Sequence, residues 1–341
     1  MRVRKVTSQL SKGKSSLLEE FDHFVSVDWS QRTMAIAHLR RRDKDPAVFE
    51  RPSELKVLKE YLHTLRGLTV LTVEETTTAH WLYLELRDDV DRIIICNPYT
   101  NRLLSAGPKT DKIDAAKLCL LLRAGLLKEV FHTDDELYDL RLLVSAYTDL
   151  IQAGVRALNQ RSALVRGHSD AGTHAPFITE HLDKSFELYR HAKEQYETKF
   201  ENFCHHNKHL KRILAVSGIG TIGAVTILAT VVDARRFPRT GKYLSYCGLV
   251  KLEKSSGGRS YGRRKPQYSR SLKAVYKIAA MAAIKGRNPV REYYDQLVTR
   301  GVADHHARHQ IARYIATVTY GVLKTGTTYD PYQWRKYTKV A

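Results

Sequence analysis

The first 130 residues alternate between two kinds of apolar pattern, and this alternation restricts the fold more than any other feature. Five short runs are rich in β-branched residues and predict strands: residues 24–28, 33–39, 47–50, 68–74 and 93–96. Three further stretches repeat apolar side chains at steps of three and four and predict helices: residues 52–65, 79–87 and 112–126. Strands and helices in this order predict an α/β domain with a mixed sheet.

After Asp134 the apolar pattern becomes helical over much longer stretches. Apolar residues recur at steps of three and four before and after a polar break at residues 167–176. This predicts two long amphipathic helices, which form either a coiled-coil arm or part of an ordinary helical bundle. The rest of the chain is predicted to be mainly helical. The predicted divisions are a basic N-terminal arm over residues 1–21, the α/β domain over 22–130, the helical arm over 131–208 and a mainly α C-terminal domain over 209–341.

Four acidic side chains in the first third stand where such a fold could gather them. Asp28 and Glu74 each end an apolar run, and Asp111 and Asp114 lie at the start of a helical pattern. Carboxylates at strand ends and at a helix start can converge on one point, and such a cluster is costly unless cations neutralise it. The pattern therefore predicts a divalent-metal site that acts on phosphodiesters.

The charge balance indicates a polyanionic partner. The chain has 56 Lys and Arg against 36 Asp and Glu, a formal net charge of +20, which favours nucleic acid. No apolar run is long enough to cross a bilayer, and no apolar signal segment follows the basic N-terminus, so we expect no membrane partner. Four dispersed cysteines fit a reducing, cytoplasmic setting.

Cations and tyrosines concentrate in residues 235–277, and the only acidic residue within this stretch is Glu253. Cations neutralise phosphates, and tyrosines stack on bases or bond to phosphates. The candidate nucleic-acid-binding residues are Lys254, Arg259, Arg263, Arg264, Lys265, Arg270 and Lys273. Among them, Ser256 beside two glycines could approach a phosphodiester as a nucleophile. Taken alone, however, Ser-Ser-Gly-Gly is also a common flexible loop.

A glycine-punctuated turn precedes this basic stretch, at Ser217-Gly218-Ile219-Gly220. Such a turn between helices resembles a helix-hairpin-helix element, whose backbone N–H groups bind phosphate. A tight packing turn between helices is the competing interpretation.

Several blocks, in this order and spacing, together resemble one known family. They are Val27-Asp28, Val73-Glu74-Glu75-Thr76, Asn97-Pro98, Lys109-Thr110-Asp111-Lys112-Ile113-Asp114-Ala115, Ser217-Gly218-Ile219-Gly220, Cys247-Gly248-Leu249 before Ser255-Ser256-Gly257-Gly258, and Tyr320-Gly321-Val322-Leu323-Lys324-Thr325-Gly326. From about residue 22 to residue 331, the chain resembles the DEDD-type transposases of bacterial insertion sequences that use a structured guide RNA, which are relatives of the pilin-gene invertases.

This resemblance implies an RNase H-like N-terminal domain, similar to Holliday-junction resolvases, and a C-terminal domain with a serine nucleophile. By motif, the acids that bind Mg²⁺ (or Mn²⁺) are Asp28, Glu74, Asp111 and Asp114, with Glu75 as the alternative to Glu74. The nucleophile maps to Ser256, with Ser255 as the alternative. The implied partners are donor and target DNA, a structured guide RNA and further copies of the chain, as a dimer or tetramer assembled through the helical arm in the nucleoid of a bacterial cytoplasm.

Two other functions share some of these features. A metal-dependent, structure-selective nuclease would use the same acids with water as the nucleophile. A non-catalytic nucleic-acid scaffold would leave the acids as solvated strand and helix ends. A covalent protein–DNA adduct separates the recombinase from the first alternative, and a dependence on divalent cations separates it from the second.

Overall fold

The computed structural model describes residues 20–97, 110–131, 137–167 and 174–335. The chain forms two compact units, Met1–Asp134 and Asp135–Ala341. Within the described ranges, no helix combines the length and the apolar character needed to cross a membrane.

A five-stranded mixed sheet forms the centre of the first unit. Its strands are β1 (His23–Trp29), β2 (Thr33–Arg40), β3 (Ala47–Pro52), β4 (Thr69–Glu74) and β5 (Arg92–Cys96). They lie in the order β3-β2-β1-β4-β5. The strands β1, β2 and β3 pair antiparallel, whereas β4 is parallel to both β1 and β5. This confirms the predicted α/β domain with a mixed sheet.

Helices cover both faces of the sheet. They are α1 (Leu55–His63), α2 (Ala79–Leu86) and α3 (Asp111–Arg123). A separate hydrophobic core lies on each face, because successive side chains of β1 point to opposite sides of the sheet. Val25 packs with residues of α1 and α2, whereas Phe24 packs with residues of α3. The helix predicted from residue 52 in fact begins at Leu55, because β3 continues to Pro52, which pairs with Thr33.

The second unit is largely helical, as predicted. Its helices are α4 (Leu137–Gly167), α5 (Ala175–His206), α6 (Lys208–Leu214), α7 (Thr221–Val231), α8 (Thr240–Tyr246), α9 (Arg270–Ala283), α10 (Pro289–Thr299) and α11 (Asp304–Thr325). Helix α7 lies in the core, with apolar side chains buried around its whole circumference. A helix of this kind needs neighbours on all sides, and α4, α5, α6 and α9 provide them.

The two long helices α4 and α5 run antiparallel. The Tyr147 hydroxyl donates to Glu197 at 2.7 Å, and further along α4 the guanidinium of Arg161 bonds to Asp183. The later residue of α4 thus contacts the earlier residue of α5, which shows that the two helices are antiparallel. Between these contacts Gly154 lies so close to α5 that a Cβ there would be 2.5 Å from the Tyr189 ring.

The Ser-Gly segment forms a β-hairpin, not a flexible loop. Strands β6 (Leu252–Ser256) and β7 (Arg259–Arg264) pair antiparallel around Gly257 and Gly258. Both glycines have positive φ angles, 55° and 76°, as in the two-residue turns that match the twist of a hairpin. The sequence signal was two short runs separated by two glycines. Every residue of the two strands is exposed to solvent.

The glycine-punctuated turn joins α6 to α7 and is tightly packed. Gly218 has a φ of +89°, and a Cβ there would lie 2.2 Å from the Ala279 carbonyl oxygen of α9. Gly220 precedes α7 and has open space around it. Close packing against α9 therefore accounts for the first glycine, as the competing interpretation predicted.

Candidate active site

Two of the four acids lie at the carboxyl ends of neighbouring parallel strands. Val27 on β1 is in register with Val73 on β4, so the residues that follow, Asp28 and Glu74, lie side by side along the sheet. Alternation places Asp28 on the same face as Phe24, which is the face covered by α3. Glu74 lies on that face too, since it is an even number of residues from Val70 in the same core.

Helix α3 supplies the other two acids from its first turn. Thr110 caps the helix by accepting a hydrogen bond from the Ile113 N–H at 3.3 Å. This cap fixes where the helix begins, and Asp111 and Asp114 therefore lie at its N-terminal end, where the helix dipole favours negative charge.

Two buried hydrogen bonds attach α3 to the backbone of β1. The Ser26 hydroxyl donates to the Ala115 carbonyl at 2.6 Å, and the Cys119 thiol donates to the Phe24 carbonyl at 3.2 Å. Ala115 directly follows Asp114, so the Ser26 bond fixes the position of the helix start relative to β1. Sequence reasoning missed Ser26, although a small polar residue within a buried apolar strand was the available signal.

The other three carboxylates act electrostatically on Asp28. Partial burial, followed by the charges of Asp111, Glu74 and Asp114, raises the pKa of Asp28 from 3.8 to about 6. We call these four residues the acidic cluster. Among the residues that the structure describes, no three His, Cys, Asp or Glu side chains lie close enough together to coordinate a metal ion. The chemistry of the four side chains nonetheless fits a divalent cation. Such an ion binds carboxylate oxygens and neutralises their negative charges.

The geometry distinguishes Glu74 from its neighbour. Glu75 follows the end of β4, where its N–H donates to the Cys96 carbonyl at 2.9 Å. Strand alternation directs its side chain to the face opposite Glu74. Glu74 is also the one of the pair whose charge raises the pKa of Asp28. The cluster therefore contains Glu74.

In the second unit, the register of the hairpin separates the two candidate serines. Residues opposite each other on paired strands point to the same face, and neighbours along a strand point to opposite faces. Ser256 is opposite Arg259, and Ser255 is opposite Ser260. The two serines therefore project from different faces of the hairpin.

The charges of these two faces differ. Between the paired positions, Lys254 on β6 is opposite two residues of β7, Tyr261 and Gly262, so β7 contains a bulge that resets its alternation. The Ser256 face thus carries cations and no carboxylate: Lys254, Arg259 and Arg264. The Ser255 face carries Glu253, which is opposite Arg263. Ser256 is therefore on the face that attracts phosphate.

The remaining predicted nucleic-acid-binding residues lie on or before α9. Lys265 follows the hairpin and is exposed, as is Arg270 at the first position of α9. Lys273 is half-buried, with its ammonium 4.6 Å from the centre of the Tyr268 ring. All three extend the cationic surface from the hairpin onto the helix that follows it.

Comparison with known proteins gives two family matches that together cover the acids and the hairpin. Residues 25–169 match a family model of the DEDD type of IS110, described as a transposase. Residues 210–295 match a second model, described as the transposase IS116/IS110/IS902 family.

Relatives encoded by insertion elements are also similar to the chain. The insertion element IS110 uncharacterized 43.6 kDa protein of Streptomyces coelicolor is 28% identical over 176 residues, which is 51% of this chain and 42% of the relative. The insertion element IS116 uncharacterized 44.8 kDa protein of Streptomyces clavuligerus is 26% identical over 120 residues, 35% of this chain and 30% of the relative. The match thus spans less than half of either relative. Residues 25–169 are thus similar to transposases of the DEDD type of IS110, and residues 210–295 are similar to the transposase IS116/IS110/IS902 family.

Proposed function

We propose that this chain is a DNA transposase that cuts and rejoins the strands of an insertion sequence. The observation that carries the proposal is the acidic cluster, in which three carboxylates act electrostatically on a fourth, Asp28, at one edge of the sheet within the matched transposase region. Burial and the neighbouring charges raise the pKa of Asp28 to about 6, so its ionised form lowers stability, and such carboxyls concentrate at functional sites.

The topology supports an RNase H-like identity for the first unit. The strand order β3-β2-β1-β4-β5, with three antiparallel strands followed by two parallel ones, is the order of that fold. The acids lie on the central strand β1, on its neighbour β4 and on α3, which packs over both.

We propose that Asp28, Glu74, Asp111 and Asp114 hold Mg²⁺ or Mn²⁺. A cation bound there would offset the charge of the cluster and polarise a phosphate oxygen of the DNA.

Ser256 is the proposed nucleophile. Its Oγ forms a bond to phosphorus while the bond from phosphorus to the sugar oxygen breaks. The serine proton passes to solvent, and the departing sugar oxygen takes up a proton. A hydroxyl from the second DNA strand then attacks the phosphoserine and releases the enzyme, so the joined strand needs no nucleotide hydrolysis. Arg259, opposite Ser256 on the hairpin, neutralises charge on the transferring phosphoryl group.

The matched pair Ser256→Ala and Ser255→Ala tests this assignment. Each variant is incubated with DNA and Mg²⁺, denatured, and analysed for protein covalently joined to DNA. We expect the adduct to disappear with Ser256→Ala and to persist with Ser255→Ala, while both variants still bind DNA. DNA cleavage by Ser256→Ala without an adduct would instead support a nuclease that uses water, and indifference to Mg²⁺ and Mn²⁺ would support a scaffold.

We further propose that the chain works as a dimer or tetramer with a structured guide RNA. In the distal half of α4, Val155 and Leu158 are 47% and 38% exposed although they continue its apolar stripe, which leaves a surface suited to another copy of the chain as a coiled-coil arm. Sequencing the RNA that copurifies with the protein tests the guide, since a discrete structured species is expected. Random cellular RNA would argue against it.

A further inference from the structure

Three cationic side chains and a histidine lie together on helices α9 and α11, outside the hairpin that carries Ser256. We propose that Lys273, Lys277, His309 and Arg313, named here the cationic patch, bind the phosphate backbone of a single-stranded nucleic acid. The proposal rests on the proposed function only in taking nucleic acid as the ligand.

The patch is built on two packed helices. Lys273 and Lys277 are one helical turn apart on α9, and His309 and Arg313 are one turn apart on α11. All three basic neighbours, Arg313, Lys277 and Lys273, act electrostatically on His309, which places the four side chains in one group. Residues four apart share a helix face, so the two pairs form a continuous surface across the α9–α11 contact.

Contacts to the segments that flank the hairpin place the patch at its root. The His309 ring bonds to the backbone of Leu249, three residues before β6. Lys273 lies over the Tyr268 ring, four residues after β7. Gly248 packs against the same ring, where a Cβ would be 2.4 Å from it. A strand bound at the patch would therefore continue toward the hairpin.

The patch lacks the acidic partners that neighbouring cations have. On α10, Arg291 pairs with Asp295 at 2.8 Å, and on α11 Arg308 pairs with Asp304 at 2.7 Å. By contrast, Lys273, Lys277 and Arg313 form no ion pair with any of the residues that the structure describes. Uncompensated cations held near a half-buried histidine repel one another, and a row of phosphates relieves that repulsion.

A cavity beside Arg313, lined by both aromatic and polar side chains, indicates that the strand is single. The cavity has a volume of about 310 Å³ and is lined by Leu244, Tyr293, Gln310, Arg313, Tyr314 and Thr317. This volume is at the lower end for small-molecule sites and suits one unpaired nucleotide. The Gln310 amide and the Thr317 hydroxyl can bond to base or sugar edges, which a duplex keeps engaged.

The test compares the double variant Lys277→Ala/Arg313→Ala with a control that removes the same charge, Lys56→Ala/Lys184→Ala. The control lysines are exposed, and each pairs with a glutamate one turn away. The full chain is titrated with labelled single-stranded DNA, single-stranded RNA and duplex DNA over a range of salt. Each lost phosphate contact should weaken single-strand binding about tenfold and lower the salt slope by about 0.7.

We expect this loss on at least one type of single strand and no such loss in the control. Gln310→Leu should weaken single-strand binding and leave duplex binding unchanged. An unchanged salt slope, an equal loss in the control, or a loss confined to the duplex would each overturn the proposal. Ser256→Ala should bind the single strands like the wild type, and because binding is measured without strand joining, failure of the proposed chemistry would leave this result intact.

Discussion

Replacing Asp28 by Asn should stabilise the metal-free protein near neutral pH while removing its response to divalent cations. The folded protein favours the protonated form of Asp28, because burial and three nearby carboxylates raise its pKa from 3.8 to about 6. A group whose pKa is raised on folding contributes stability at pH below 3.8 that is lost as the pH rises through about 6. Above that pH, the ionised cluster is a net cost in the absence of metal.

The size of this cost follows from the two pKa values. Their difference corresponds to at most about 3 kcal/mol. Solvent screening of the partly exposed carboxylate reduces the expected effect to about 1–2 kcal/mol. For a unit of this size, that is a rise in melting temperature of roughly 4–8 °C for Asp28→Asn at pH 7.5. At pH 4 the two proteins should differ little.

Thermal unfolding in EDTA, followed across pH 4 to 8, measures this difference. Asp88→Asn is the control, because Asp88 belongs to the same unit and its side chain is 93% exposed. Adding Mg²⁺ should raise the melting temperature of the wild type at pH 7.5 and leave that of Asp28→Asn nearly unchanged. A destabilised Asp28→Asn at pH 7.5, or a pH profile parallel to the wild type, would refute the account of the cluster as four mutually repelling carboxylates.

Three further predictions follow from the contacts around the two sites. Ser26→Ala removes the buried hydrogen bond from β1 to the Ala115 carbonyl, which should cost about 0.5–1.5 kcal/mol by denaturant unfolding and weaken Mg²⁺ binding by calorimetry, because α3 carries two of the acids. Gly218→Ala should destabilise the helical unit by about 3 kcal/mol or more, whereas Gly220→Ala, with open space at its Cβ, should change the unfolding free energy by less than about 1 kcal/mol. Chelating divalent cations should abolish strand joining in a gel assay, with recovery on adding Mg²⁺ or Mn²⁺.

The sequence predicted those parts of the fold that depend on local pattern. Alternating β-branched runs gave the strands of the first unit, and the acid at the end of such a run, as with Asp28, was recognisable because strand ends meet at a sheet edge. The helix boundary near residue 52 was wrong because pairing with β2 extends β3, and strand pairing is set by residues distant in sequence. The roles proposed for the acids and the serine stay predictions.

What the sequence could not provide was the side to which each side chain points. Strand alternation alone separates Ser255 from Ser256, but only the pairing of Ser256 with Arg259 and the bulge at Gly262 decide which of the two faces carries the cations. The cationic patch was hidden except for Lys273, since its residues come from two helices more than 30 positions apart and become one group only when α9 packs on α11. Tertiary contacts decide such groupings, and composition records only that the cations are numerous.

The acidic cluster and the cationic patch share one physical property, which links stability to function in both units. Each gathers like charges that repel in the free protein, and each is relieved by a ligand of opposite charge. A ligand that binds only the folded state stabilises it by an amount that grows with the logarithm of the ligand concentration relative to the dissociation constant. Divalent cations should therefore stabilise the first unit and nucleic acid the second, each without the other. In each empty site the repulsion lowers the free energy of unfolding, and the protein accepts this loss of stability because the same charges bind metal or phosphate.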